Sequence, residues 1–253
     1  MMHSVLDQLP QIMGHRGACG HAPENTLSSI EMAATLGSKF IEIDVCVTKD
    51  NIAVIHHDTD VDRCTNGHGP VLLKTLEEIK LLDASIQFSP HFTGEKIPTL
   101  KEAILTIQKL GLGLNLELKP CKGWQIPTTE RVAAELQEYL PENVPLLVSS
   151  FNIEALKKLG SLMPDVPLGY LTEAIPPDWE RRLVEAGCAS LHCEKDFVTK
   201  ENVTAVKAAG YKFLVYTVND PEMANRFLDW GVDSVITDFP DRLFAGLQHI
   251  KTG

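Results

Sequence analysis

Positive charge is scarce in this sequence, and long hydrophobic runs are absent from it. The 253 residues include 23 Lys and Arg against 34 Asp and Glu, a net charge of −11 with neutral histidines. This balance excludes a basic nucleic-acid-binding surface as a property of the whole chain, although it allows a local positive pocket. The longest apolar runs have about the length of a strand, far below the roughly 20 residues of a membrane helix. We therefore expect no nucleic-acid partner and no transmembrane segment.

A signal peptide and a disulfide pattern are also lacking. Residues 1–7 contain neither a positively charged region nor an apolar core of the kind that directs secretion. The six cysteines form no Cys-x-x-Cys pair and have no regular spacing. In a chain of this length without a secretion signal, free thiols are expected rather than a disulfide framework. The sequence therefore predicts a cytoplasmic protein.

Several common enzyme motifs are missing as well. The sequence has no G-x-x-x-x-G-K-[ST] loop, no G-x-G-x-x-G after a strand and no H-E-x-x-H. It also has no G-x-S-x-G turn, and this absence argues against the usual serine hydrolase. Any catalytic chemistry must therefore come from a different arrangement of residues.

Apolar, β-branched segments alternate with helical patterns along most of the chain. Gly187, Gly210 and Gly231 each follow a helical pattern and precede a strand, which is a typical position for a residue that ends a helix. The predicted strands are residues 11–14, 39–45, 114–118, 146–149, 167–170, 189–193, 212–216 and 233–237. The predicted helices are residues 25–36, 100–110, 129–140, 152–162, 177–186, 200–209 and 221–230, with Asn25 or Thr26 as the cap of the first.

This alternation predicts α/β architecture with a parallel sheet. Eight βα units in about 250 residues match the count and size of a (β/α)₈ TIM barrel. A doubly wound open sheet is the alternative, but it normally has fewer strands. Residues 58–98 contain no clear βα unit, and we interpret them as a small insertion after strand 2 within one domain covering residues 1–253.

Three carboxylates are predicted to lie together on neighbouring strands. Glu42 and Asp44 share one face of strand 2, and Glu117 and Lys119 share one face of the next barrel strand. Taken alone, Glu42 and Asp44 are also explained by a strand face exposed to water, and Glu117 and Lys119 by a same-face ion pair. Inside a barrel, however, like charges would resist ionisation unless a cation lay between them. Glu42, Asp44 and Glu117 would suit one divalent cation, Mg²⁺ or Ca²⁺.

Two histidines and two cations are predicted beside these carboxylates. His15 ends strand 1, and the pair His56 and His57 follows strand 2. Since neighbouring residues of an extended segment point to opposite sides, only one of the pair is expected to face the site. Histidine exchanges protons near neutral pH, so one on each side of a phosphorus atom could act as base and acid. Arg16 and Lys119 would supply positive charge for an anionic substrate, unless they only pair with the barrel carboxylates.

With these residues in this order, the sequence closely resembles the glycerophosphodiester phosphodiesterase family, and most of all its bacterial cytoplasmic members. The resemblance covers nearly the whole chain, and its segments occur in the family's order. They are His15-Arg16-Gly17, residues 22–26, Glu42-Ile43-Asp44-Val45, His57-Asp58 with Arg63 and residues 65–69, Glu117-Leu118-Lys119, and residues 215–219 and 231–238.

The resemblance implies a metal-dependent hydrolase that releases sn-glycerol 3-phosphate and an alcohol from small diesters such as glycerophosphocholine and glycerophosphoethanolamine. It implies catalysis by His15 as base and His57 as acid, through a cyclic phosphate intermediate. The implied site residues are the metal ligands Glu42, Asp44 and Glu117, the phosphate-binding Arg16 and Lys119, and the supporting Glu24 and Asn25.

Two other functions stay open on the same fold. One is lysophospholipase D or sphingomyelinase D-like activity, which would favour an apolar rim such as Ile86, Phe88 and Phe92 could form in the insertion. The other is a non-catalytic barrel that binds an anion, although such a barrel would be expected to lack at least one catalytic or metal residue. The sequence leaves the oligomeric state and the choice between Mg²⁺ and Ca²⁺ undecided.

Overall fold

A computed structural model gives the fold of the protein, and it describes residues 2–247. Within these residues nine strands form one sheet, and strands and helices are numbered in chain order. The strands are β1 (Ile12–Gly14), β2 (Phe40–Val47), β3 (Ala53–Ile55), β4 (Gly113–Leu118), β5 (Leu146–Ser150), β6 (Leu168–Thr172), β7 (Ser190–Glu194), β8 (Lys212–Tyr216) and β9 (Ser234–Thr237). The ends of the predicted domain, residue 1 and residues 248–253, lie outside the described residues.

Helices follow most of the strands and pack around the sheet. Thr26 accepts a hydrogen bond from the Ser29 backbone and caps the helix that follows, which confirms one of the two predicted caps. Gly187 and Gly231 end their helices in the left-handed conformation that glycine adopts without strain. The helices are α1 (Met2–Asp7), α2 (Leu27–Thr35), α3 (Leu76–Leu81), α4 (Leu100–Leu110), α5 (Gln125–Tyr139), α6 (Ile153–Leu162), α7 (Trp179–Ala186), α8 (Lys200–Ala208), α9 (Pro221–Trp230) and α10 (Pro240–Gly246).

Eight of the strands are parallel and close into a barrel, which confirms the predicted fold class. Closure occurs at β1, where Gly14 pairs with Ile41 on β2 and with Thr237 on β9. The order around the barrel is β1-β2-β4-β5-β6-β7-β8-β9. The remaining strand, β3, turns back from β2 as an antiparallel hairpin, with Val45 opposite Ile55. The sequence did not predict this strand, because its three residues offer too short a pattern.

The segment between β3 and α4 contains α3 and two 3₁₀ turns, at Val71–Leu73 and Pro90–Phe92. It packs on β2 and β3 through its own small apolar cluster, which consists of Cys46, Val54, Val61, Val71, Ile79, Ala84 and Ile97. This segment corresponds to residues 58–98, for which the sequence predicted no clear βα unit. It follows the β2–β3 hairpin and lies beside the mouth of the barrel.

Apolar side chains fill both the space around the barrel and the lower part of its interior. The larger cluster lies between the strands and the helices. The interior cluster contains Met13, Phe40, Leu147, Leu214 and Ile236. Above this interior layer the inward-facing positions become polar, with Glu42 and Asp44 on β2 and Asn115 and Glu117 on β4. The barrel therefore presents a polar end at the carboxyl ends of its strands.

Candidate active site

The candidate site lies at this polar end, and strand register places its carboxylates together. Asp44 on β2 pairs directly with Glu117 on β4, and Glu42 pairs with Asn115. Carboxylate oxygens of Glu42, Asp44 and Glu117 all lie within 4.8 Å of one another, and the three residues are buried. The structure therefore forms the carboxylate cluster that the two sequence segments predicted.

Mutual repulsion and burial dominate the electrostatics of this cluster. Burial, together with the charges of Asp44 and Glu117, raises the pKa of Glu42 well above its usual value. Burial and Asp44 likewise raise the pKa of Glu117 to about 7. Burial also acts to raise the pKa of Asp44, but the positive charges of Arg16 and Lys119 outweigh it and hold this pKa below its usual value. At neutral pH the cluster therefore resists full ionisation in the absence of a further cation.

The donor set fits a divalent metal ion. Within residues 2–247, two buried oxygens of this cluster have no hydrogen-bond partner, namely Glu42 Oε1 and Asp44 Oδ1. Glu117 Oε1 lies 3.0 Å from Lys119 Nζ, in an ion pair. Unpaired buried carboxylate oxygens are costly, and hard divalent cations bind oxygen ligands of this type. The cluster could therefore hold a metal ion.

Arg16 and Asn25 reach the cluster from the loop between β1 and α2. Both adopt left-handed backbone conformations, with φ of 49° and 59°, which is unusual for residues other than glycine and typical of functional sites. The Asn25 backbone N–H donates to the Arg16 carbonyl at 3.1 Å, and the Asn25 side chain donates to Asp44 Oδ2 at 2.8 Å. The Arg16 backbone N–H donates to Glu42 Oε2 at 3.0 Å. The loop conformation therefore holds two of the carboxylates in place.

His15 is oriented by a carboxylate from the other end of the chain. Its Nδ1 donates to Asp238 Oδ1 at 2.6 Å, which leaves Nε2 facing the cluster, 3.9 Å from Glu42 Oε2. Asp238 is in turn held by Asn219 Nδ2 at 2.6 Å and by Cys19 Sγ at 2.9 Å. The sequence assigned no role to Asp238 or Asn219, although both lie in segments that carried the family resemblance.

His57 has a comparable arrangement on the opposite side. Its Nδ1 donates to Asp58 Oδ1 at 2.5 Å, and its Nε2 accepts from Lys119 Nζ at 3.0 Å. Burial is the main cause that lowers the pKa of His57, and the charges of Arg16 and Lys119 add to it. His57 is therefore neutral at pH 7 in this arrangement. His56 points away, and its buried ring contacts the Asp60 carbonyl at 2.8 Å.

A chain of ion pairs connects Arg16 to Asp58. Glu24 bonds Arg16 Nη1 at 2.6 Å and Arg63 Nη1 at 2.7 Å, and Arg63 Nε bonds Asp58 Oδ2 at 2.7 Å. Burial acts to raise the pKa of Glu24, but the two guanidinium groups outweigh it and lower this pKa to about 2. Arg63 belongs to the segments that resemble the family, but the sequence assigned it no role. Its contacts with Asp58 hold that carboxylate in place.

An open cleft of about 570 Å³ lies over these groups and places the predicted residues in contact with solvent. Its lining comprises His15, Arg16, His57, Glu117, Lys119, Phe151, Glu173, Glu194, Lys195, Tyr216 and Thr217. The structure thus brings together the two histidines, the two cations, the three carboxylates and the supporting Glu24 and Asn25. Their catalytic, binding and ligand roles stay predictions.

The barrel fold and the polar site at its mouth are those of a (β/α)₈-barrel enzyme. Comparison with known proteins identifies the family to which the chain belongs. Residues 15–242 match the model of the glycerophosphoryl diester phosphodiesterase family. The chain is 37% identical to a glycerophosphodiester phosphodiesterase of Caldanaerobacter subterraneus subsp. tengcongensis, over 92% of this chain and 95% of that protein. It is 35% identical to the glycerophosphodiester phosphodiesterase of Bacillus altitudinis, over 96% and 100%.

A solved structure agrees with the sequence comparisons. A phosphodiesterase of Oleispira antarctica in complex with the product sn-glycerol-3-phosphate superposes with a TM-score of 0.94 and 42% identity, covering 96% of this chain and 98% of that one. The chain therefore belongs to the glycerophosphoryl diester phosphodiesterase family and is an enzyme of that type. No helix within residues 2–247 combines the length and apolar character needed to cross a membrane.

Proposed function

We propose that the cleft hydrolyses glycerophosphodiesters, such as glycerophosphocholine and glycerophosphoethanolamine, to sn-glycerol 3-phosphate and an alcohol. The observation that carries this proposal is the convergence of His15 and His57 with Arg16, Lys119 and the carboxylate cluster on one cleft. The family membership and the product held by the Oleispira relative support it. The substrate is accordingly a small molecule with an anionic phosphodiester.

Glu42, Asp44 and Glu117 would hold one divalent cation, Mg²⁺ or Ca²⁺, through their carboxylate oxygens. A cation bound there would offset the charge of the phosphate oxygens and lower the pKa of the attacking hydroxyl. Arg16 and Lys119 would hold the phosphate from the protein side. Glu117 and Asp44 raise the pKa of Lys119 and outweigh the opposing effect of burial, so Lys119 stays charged at neutral pH.

In this proposal His15 acts as the base. Its Nδ1 is engaged by Asp238, so the free lone pair is on Nε2, which faces the carboxylate cluster. Nε2 takes the proton from the 2-hydroxyl of the glycerol, and the resulting oxygen attacks phosphorus. A P–O bond forms within the glycerol phosphate, and the bond to the alcohol breaks. Water then attacks the cyclic phosphate and gives a proton to His57, while the bond from phosphorus to the 2-oxygen breaks and protonated His15 returns a proton to that oxygen. The product is sn-glycerol 3-phosphate, and both histidines recover their starting state.

In this proposal His57 gives the departing alcohol its proton, and it must be protonated to do so. In the structure Lys119 Nζ occupies its Nε2 lone pair. A bound phosphodiester would draw Lys119 towards its oxygens and add a negative charge beside His57. Burial would still lower the pKa of His57, but both changes counter the part of the lowering that comes from the charges of Lys119 and Arg16. Substrate binding would therefore convert His57 into the acid.

The direct test is to incubate the purified protein with glycerophosphocholine and Mg²⁺ or Ca²⁺ and to measure choline. We expect release that stops when a chelator is added and returns when the cation is restored. Lysophosphatidylcholine serves as the comparison substrate, because faster choline release from it would favour the lysophospholipase D alternative. Absence of release from both diesters would leave only the anion-binding barrel.

The structure gives the lipid alternative little support from the insertion. Phe88 and Phe92 pack edge to face on each other, with ring centroids 5.4 Å apart, and both are half-buried. Ile86 is exposed but is not among the residues that line the cleft.

The assignment of residues 58–98 as an insertion within one domain stays a prediction. Cytoplasmic location also stays a prediction, which fractionation of expressing cells would test.

A further inference from the structure

A second cavity adjoins the cleft beside His57. It measures about 290 Å³ and lies between the segment after β3 and the loop after β4. The two cavities share His57, Glu117, Lys119 and Phe151. His15 lines the cleft but not the second cavity. The second cavity is therefore reached past His57 and Lys119, on the side away from His15.

The walls of the second cavity are mostly uncharged. Beyond the shared residues its apolar surface comes from Val71, Leu118, Pro120 and Cys121. Among the described residues that line only this cavity, Asp58 carries the one charge, and both of its oxygens are engaged by His57 and Arg63. The cavity therefore suits a compact organic group, and the one cation among its described lining residues, Lys119, is shared with the cleft.

The geometry of phosphoryl transfer relates this cavity to the reaction. The attacking and leaving oxygens lie roughly in line on opposite sides of phosphorus. His15, the proposed base, lies on the cleft side, and His57, the proposed acid, lies where the two cavities meet. Because the acid must contact the leaving oxygen, the alcohol has to extend past His57.

We infer that the second cavity binds the alcohol part of the diester, while the glycerol part lies in the cleft. This inference rests on the proposed function and adds its substrate class, namely diesters of compact alcohols that are neutral or cationic. An alcohol that carries its own anionic group would meet Asp58 and find no further cation. Val71 and Cys121 would limit the size of the alcohol.

The test fills the cavity and compares a large with a small alcohol. Cys121 is half-buried and follows β4 in a loop, so a larger side chain there can project into the cavity. For Cys121→Trp we expect kcat/KM for glycerophosphocholine to fall about tenfold or more. The methyl ester of glycerol 3-phosphate should change by less than about twofold, because methanol needs none of this space. Release of sn-glycerol 3-phosphate measures both reactions.

Three controls make the result specific. Lys122→Trp places the same side chain on the exposed neighbouring residue, outside the cavity lining, and should leave both reactions as in the wild type. Cys121→Ser removes the thiol without filling the space, and it should resemble the wild type. Cys121→Leu fills less of the cavity. It replaces Cys121→Trp in the comparison if thermal unfolding shows that the Trp variant is misfolded.

The outcomes distinguish a wrong assignment of the second cavity from a wrong proposed function. Equal loss with both substrates, or no loss with either, in a folded Cys121→Trp or Cys121→Leu variant would overturn the assignment of the cavity while leaving the hydrolase intact. If the wild-type protein hydrolyses neither diester, the proposed function itself fails and the assignment fails with it. A selective loss for glycerophosphocholine supports the assignment.

Discussion

Each candidate catalytic histidine is held by its own carboxylate through Nδ1. Asp238 orients His15 and Asp58 orients His57, at 2.6 and 2.5 Å. A hydrogen bond of this type fixes the tautomer and directs Nε2 towards the reacting atoms. Another histidine–carboxylate pair, His21 Nε2 with Asp241 Oδ1 at 2.7 Å, lies outside the lining of the cleft. The His21–Asp241 pair supplies control substitutions for the candidate catalytic histidines and their carboxylates.

Replacing either catalytic histidine should remove proton transfer without unfolding the barrel. We expect His15→Ala and His57→Ala each to lower kcat for glycerophosphocholine by about 10²–10⁴-fold, the usual contribution of a general acid or base. His21→Ala should keep turnover close to that of the wild type. Choline release measures all three, and near-normal turnover in either catalytic variant would contradict the assigned mechanism.

Asp238 should act through His15 rather than on the substrate. In Asp238→Asn the amide can present a donor to Nδ1 and thus favour the wrong tautomer, so we expect kcat to fall by about 10²-fold or more with little change in KM. Asp241→Asn is the control and should change neither constant. If Asp238→Asn instead raised KM and kept kcat, Asp238 would have a role in binding and not in positioning His15.

At the scale of strands and helices, the sequence pattern predicts the elements better than their long-range partners. Alternation along β2 correctly places Glu42 and Asp44 on one face, because side-chain direction in a strand depends only on local geometry. Asp238 lies 223 residues from His15, and only barrel closure through the β1–β9 pairing brings them together. Local pattern carries no information on that closure, which explains why Asp238 was missed.

The pairing of β2 with β4 brings the three carboxylates together, and this affects the stability of the protein. Without metal, Glu42 is buried beside Asp44 and Glu117 with one oxygen unpaired, and these surroundings disfavour its charged form. Glu42→Gln should therefore stabilise the metal-free protein by on the order of 1 kcal/mol, or a few degrees in Tm. It should also abolish the rise in Tm that Mg²⁺ or Ca²⁺ gives the wild type by binding the folded state.

Glu135 is the matched control for this experiment. It is equally buried, but its Oε1 accepts hydrogen bonds from the Ala53 backbone at 3.0 Å and from Arg131 Nε at 2.7 Å. Glu135→Gln should therefore lower Tm with and without metal, and the response to metal should persist. Thermal unfolding of the wild type and both variants, in chelator and in added cation, gives the six Tm values. A destabilised metal-free Glu42→Gln would show that repulsion in the cluster is not the dominant effect.

At the scale of the whole barrel, the polar interior continues around the strands beyond the carboxylate cluster. On β7 the ring of His192 is fully buried, and its Nε2 lies 2.9 Å from Ser190 Oγ. Gly169 on β6 leaves the space for this ring, since a Cβ there would lie 2.5 Å from Nε2. His192 lines none of the cavities at the mouth. It is therefore a packed residue whose protonation bears on folding.

Burial lowers the pKa of His192 from its ordinary value of 6.5 to about 3. The unfolded chain gains a proton as the pH falls through 6.5, whereas the folded barrel keeps the ring neutral until about pH 3. The stability that this residue contributes is complete above pH 6.5 and is lost progressively as the pH falls. Between pH 7 and pH 5 the loss amounts to about 2 kcal/mol.

Denaturant unfolding at pH 7 and pH 5 tests this prediction. His192→Asn removes the titrating ring, so the free energy of unfolding should fall less between the two pH values than it does in the wild type. Ser190→Ala removes the neighbouring hydroxyl but keeps the ring, and it should retain the full pH dependence at a lower overall stability. An unchanged pH dependence in His192→Asn would assign the acid sensitivity to other groups, because only the ring differs between that variant and the wild type in this pH range.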